Sequence, residues 1–271
     1  MVRLRSVLAE AYRAFGRHRI GQSAAALAYY GVLTIAPLLT VFIAVAGKVV
    51  GQAAVTEFIV EWLSRTIGEE AAVTLASAAS NYLFRSSGNT AVLVVSALLT
   101  VFGAIGVFVQ VTRTLRQIWE QPSESGVRDT VVLHLLALAV LGVLTVGLVV
   151  AIAVLTMLAS LVGSAGSSLL PLVISALATT ALFTVAYRRL SGARPPLRHA
   201  LWGAVPGGVG YALGSIALGF YIERSFIVSA YGSAGSLLAV LIWLYYSAMI
   251  FLAGAELARA VGVVEEAASR A

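Results

Sequence analysis

YGSAGSLLAVLIWLYYSAMIFLAGAELAR, residues 231–259, is the stretch whose reading decides the fold. Its charge-free run of about twenty residues is what an α-helix needs to cross the ~30 Å hydrocarbon layer of a bilayer. Small residues open it, Trp243, Tyr245 and Tyr246 cluster in its middle, and Glu256 and Arg259 close it.

The rest of the chain agrees with a membrane reading. Of its 271 residues 60% are hydrophobic and 11% charged, with mean hydropathy +0.95. A soluble domain carries about 25% charged residues, so half of the usual solvating surface is missing. The absence of cysteine excludes disulfides, thiolate metal sites and cysteine nucleophiles. Met1–Arg19 carries five arginines and no apolar core of the kind a cleavable signal needs.

Hydropathy and periodicity predict an all-α polytopic membrane protein, a single integral membrane domain over 1–271. Six spans are expected at about 21–47, 91–111, 130–160, 169–187, 200–222 and 232–257. Residues 1–20 precede them as an amphipathic helix, with Leu4, Val7, Leu8, Ala11, Tyr12 and Phe15 on one face and arginines on the other. Such a helix lies at the headgroup level with its arginines on anionic lipid, or packs against the bundle. Residues 48–90 are too polar to span and read as an extracytoplasmic helical hairpin broken at Gly68-Glu69, its apolar set running from Phe58 through Trp62 to Leu83.

Pro37 and Pro206 fall inside spans, where a missing backbone donor kinks a helix. Gly203, Gly207, Gly210 and Gly214 recur at helical spacing and predict a close approach of a neighbouring helix. The N-terminus, the 2–3 and 4–5 loops and the C-terminus hold 14 of the 18 Lys and Arg, against four in the other loops. The positive-inside rule then places both termini in the cytoplasm. It also accounts for the net charge of +6 without a nucleic-acid partner.

AAALAYYGVLTIAPLL (24–39), Ile118-Trp119 and YGSAGSLLAVLIWLYYSAMIFLAGAEL (231–257) resemble the YihY/BrkB family of bacterial inner-membrane proteins. The resemblance runs in order over nearly the whole chain. It implies six spans with cytoplasmic ends, and a suggested part in lipid or envelope-component transport. The family has also carried the labels virulence factor BrkB and ribonuclease BN.

Nuclease chemistry wants clustered His or carboxylate metal ligands, whereas His18, His134 and His199 fall on three different segments. Gly47-Lys48 continues into Val49, so no phosphate-cradling GK[ST] is present. The reading is therefore of a protein that is not an enzyme, with no cofactor and no metal. Charged groups within spans face the bundle interior. The candidate cavity or gate residues are Glu256, Arg259, Gln110, Tyr29, Tyr30, Tyr245 and Tyr246. For Glu256 the alternative is a structural ion pair with Arg259 or an N-terminal arginine. Membrane lipid, with anionic headgroups at the N-terminal arginines, is the expected partner. Envelope-assembly proteins docking on a non-transporting scaffold, or a homo-oligomer, are the alternatives.

Overall fold

A computed structural model describes residues 4–69, 71–77, 90–122, 169–224 and 233–270. Every regular element among these residues is helical. In chain order they are α1 (Leu4–Arg17), α2 (Ile20–Val50), α3 (Gln52–Ile67), α4 (Thr90–Ile118), α5 (Leu169–Leu190), α6 (Leu197–Glu223) and α7 (Ser233–Arg270). The expected third span, 130–160, and the end of the expected hairpin, including Ala79 and Leu83, lie outside the described residues.

Three described helices are long and apolar enough to cross a membrane: Val94–Ile118, Leu197–Tyr221 and Gly235–Arg270. Helix α2 adds a fourth if its two halves count as one span, since it bends by 42° between Ile20–Ile35 and Pro37–Lys48. Pro37 supplies the cause by removing one rung of the hydrogen-bond ladder. Thr34 adds to it, because its hydroxyl donates to the Tyr30 carbonyl at 2.6 Å, a back-bond that bends helices. Pro206 lies on the exposed side of α6, and the helix runs through it.

Glycine in the left-handed region ends two helices in succession. Gly51 (φ 99°) separates α2 from α3, and Gly68 (φ 85°) separates α3 from the helical stretch 71–77. The broken pair is anchored in the helix bundle. Val55, Ile59, Leu63 and Ile67 of α3, with Ala72 and Leu75, pack into one core with Phe42 and Ile43 of α2 and Trp243 of α7. Trp62 stays half exposed on the rim, edge-on to Trp243 with ring centroids 5.9 Å apart.

A second core fills the other end of the bundle. It joins Ile20 and Ala24 of α2, Leu115 and Ile118 of α4, Tyr187 of α5, Ala200 and Ala204 of α6, and Leu252, Ala255 and Ala258 of α7. Helices α6 and α7 come together across glycine. A methyl group on Gly203 would collide with the Gly254 carbonyl and Ala258, and one on Gly214 with the Tyr246 ring. At Gly210 the nearest atoms, on Ile250, are 3.8 Å away, an ordinary contact.

Helix α1 divides its apolar residues between two surfaces. Val7, with Ala11 beside it, packs on Ala260 and Val261 of α7, and Ala14 is also buried. Leu4, Leu8 and Tyr12 face outward, Tyr12 with 84% of its surface exposed. The six-residue face expected to lie on lipid is therefore partly a protein contact. Burying a Val side chain is worth about 1.5–3 kcal/mol, enough to hold one stripe of a short helix on α7.

Candidate functional site

The site begins at the elbow between α1 and α2, only His18 and Arg19 long. The His18 amide still bonds to the Ala14 carbonyl at 2.8 Å. Arg19 then takes a left-handed conformation (φ 51°, ψ 46°) that reverses the chain into Ile20. This turn buries the His18 ring against α7, leaving it 5% exposed.

There His18 meets Glu256. Nδ1 lies 2.5 Å from Oε1 of a carboxyl group that is itself only 1% exposed. Hydrogen bonds to charged groups are short and strong. The second oxygen, Oε2, is buried without a hydrogen-bond partner among the described residues. The Gln117 amide of α4 donates to the His18 carbonyl at 3.4 Å, which ties the elbow to a third element.

An ionic layer covers this pair. Helix α4 ends in a Schellman motif, with the Gln121 amide bonded to the Arg116 carbonyl at 2.9 Å and the Glu120 amide to the Gln117 carbonyl at 3.1 Å. Its left-handed residue, usually glycine, is Glu120 (φ 52°). That conformation costs a side chain about 1–2 kcal/mol. Glu120 offsets the cost through its partners: Arg259 of α7 donates to Oε1, and Arg17 of α1 lies 3.4 Å from the same oxygen. Glu10 of α1 completes the layer, 3.6 Å from Arg17 and 3.7 Å from Arg259.

The expected candidates separate into two groups. Glu256 and Arg259 share this end of the bundle, but Glu256 pairs with His18, and Arg259 reaches past it to Glu120 and Glu10. The others are distributed along helix contacts. Gln110 donates to Thr114 at 3.4 Å within α4. Tyr30 packs on Gly106 and meets Tyr29 edge-on, while Tyr29 itself is exposed. Tyr246 donates to the Gly210 carbonyl at 2.7 Å, and Tyr245 sits partly exposed beside Gly21.

The sequence reading missed His18 and Glu120 as members of the site. Reading both chain ends on one side of the membrane brings residues 18 and 256 to the same end, and that is the only signal that pairs them. It also missed Tyr187, fully buried, whose hydroxyl donates to the Phe251 carbonyl at 2.6 Å. A smaller cluster joins the start of α6 to α7: His199 Nε2 lies 2.9 Å from Glu265, which Arg198 also contacts. Among the described residues no three His, Asp or Glu side chains gather as metal ligands.

Long apolar helices and glycine-mediated packing define an α-helical integral membrane protein. The chain belongs to the Virulence factor BrkB family, whose model matches residues 11–271. It is similar to UPF0761 membrane proteins of Alkalilimnicola ehrlichii, 25% identical over 95% of this chain, and Alcanivorax borkumensis, 29% identical over 94%. It spans 58% and 60% of those two relatives' lengths. A third, from Haemophilus influenzae, is 24% identical over 94% of both chains. No solved structure matches.

Proposed function

We propose that this chain is a six-span inner-membrane protein, with both ends cytoplasmic, that moves or handles an anionic lipid or envelope amphiphile without an ATPase of its own. One observation carries the reading. Trp202, Val205, Val209, Leu213, Ile216 and Phe220 form an exposed apolar stripe along α6 at intervals of three and four residues. An arginine stands at each end: Arg198 in the first turn, and Arg224, whose guanidinium lies 3.6 Å from the Phe220 ring centroid. Such a stripe offers acyl chains an apolar track and, through Arg224, an anionic headgroup a cation at one end, Arg198 at the other end being shared with Glu265. The outward Leu4, Leu8 and Tyr12 of α1, beside Arg5 and Arg13, supply a further contact for anionic lipid.

The test is reconstitution in liposomes holding a fluorescent anionic phospholipid, with dithionite reporting its transfer between leaflets. Transfer is expected to exceed that of protein-free vesicles without ATP, and to fall in Arg224→Gln. Transfer equal to that of empty vesicles, with and without an ion gradient, sinks the reading.

A non-transporting scaffold is the second reading, favoured by Trp62, which is half exposed on α3 yet held edge-on against Trp243. An aromatic fixed in place and open on one side suits an envelope-protein contact. Trp62→Ala would then abolish partner capture while lipid transfer stays at background.

A further inference from the structure

Three carboxylates and two guanidiniums meet where α1, the elbow, α4 and α7 converge: Glu10, Glu120 and Glu256 against Arg17 and Arg259. With His18 neutral, this network carries one negative charge in excess (three carboxylates less two guanidiniums). The Nδ1–Oε1 hydrogen bond already exists in that state, since it needs only one proton between the two atoms. A second proton has two places to go. One is His18 Nε2, 3.9 Å from Glu120 Oε1. The other is Glu256 Oε2, buried and without a hydrogen-bond partner among the described residues. Either cancels the excess at its buried end, since Glu256 and His18 are 1% and 5% exposed, where an uncompensated charge is among the costliest features a fold can hold.

The other charged and titratable groups on the surrounding helices are committed elsewhere or exposed. Arg13 of α1, Arg19 of the elbow and Arg113 of α4 are exposed, and Arg116 runs along Gly192. On α6, Arg198 and His199 are taken by Glu265. On α5, the Tyr187 hydroxyl is spent on the Phe251 carbonyl. The first two turns of α2 hold no titratable side chain.

We infer that the His18–Glu256 pair is a proton-binding site that latches the α1–α2 elbow to α7, taking up one proton per chain when the elbow seats and releasing it when the elbow leaves. The bound proton completes the charge balance of the layer that joins α1, α4 and α7. Its loss leaves Glu10, Glu120 and Glu256 repelling one another across the two arginines, and α1 is the shortest of the elements they hold. This site goes beyond the lipid reading and stands without it.

The cysteine-free chain permits a direct test in lipid nanodiscs. Spin labels at Tyr12→Cys and Val263→Cys, both on exposed positions, report the distance between α1 and α7. Imidazole ¹⁵N resonances report the charge state of His18, assigned by elimination with His134→Asn and His199→Asn. The labelled chain should give one narrow distance near about pH 5 and a broadened, longer distribution near about pH 9. Glu256→Gln should abolish that pH dependence. A distance that never changes with pH, or a step that survives in Glu256→Gln, overturns the inference. Should Glu256→Gln not fold, the native chain decides alone: a latch that opens while both the His18 imidazole and the Glu256 carboxyl resonances stay fixed also overturns it. No lipid movement is read, so failure here and failure of the transport reading are separate results.

Discussion

Gly203 of α6 lies directly against the carbonyl oxygen of Gly254 on α7, with no side chain between the two backbones. Close approach of this kind lets two helices associate without a hydrophobic driving force between them. It also makes the positions of the glycine stripe unequal. Gly203→Ala should lower thermal stability in detergent by about 1–3 kcal/mol, because the methyl meets backbone that cannot rotate away. Gly210→Ala, facing Ile250 at 3.8 Å, should be close to neutral. Equal losses at the two sites would mean that the helices are not seated on each other as described.

The left-handed Glu120 gives a sharper comparison. Glu120→Ala keeps the strained backbone and loses the contacts to Arg17 and Arg259, whereas Glu120→Gly loses the contacts and relieves the strain. The glycine variant should therefore be more stable than the alanine variant by about 1 kcal/mol in chemical unfolding. An alanine variant as stable as the glycine variant would show that the conformation carries no cost.

The two His–Glu pairs on α7 should differ in worth. Glu256 is buried, so Glu256→Ala leaves the buried His18 ring without its hydrogen-bond partner and should cost about 1–3 kcal/mol. Glu265 is partly exposed and Arg198 largely so, so Glu265→Ala should cost less than about 1 kcal/mol. Raising the salt concentration should erase the second effect and leave most of the first. Urea unfolding of both variants at two salt concentrations measures the ordering.

Tyr187→Phe removes the hydroxyl that donates to Phe251 while keeping the ring among Phe183, Trp119 and Phe251. The expected loss is about 0.5–1.5 kcal/mol, that of one hydrogen bond. A Tyr187→Leu variant should lose more, since the aromatic contacts go as well. Thermal scans of both variants read the difference.

Features that repeat along one helix were legible before any coordinates. The spacing of Gly203, Gly207, Gly210 and Gly214 announced a close contact, and Pro37 announced a bend, because each acts within a few residues of itself. The uncharged run after Tyr231 announced a long helix for the same reason. The His18–Glu256 pair was not legible, since 238 positions separate its members and no local pattern marks an elbow histidine. Arg259, a turn away from Glu256, looked like its natural partner. It is drawn off instead by Glu120, whose left-handed backbone at a position usually given to glycine left no trace in the sequence. For α1, the helical period located the apolar residues correctly but could not divide them between α7 and the outside.

The elbow of His18 and Arg19 also acts as a phase lock. Each residue of an α-helix turns the next by about 100°, so deleting or inserting one residue there would rotate all of α1 about its own axis. Val7 and Ala11 would swing off α7, and the Leu4–Leu8–Tyr12 stripe would face a different direction. The length of the two-residue connection thus decides which side of α1 meets α7 and which faces outward.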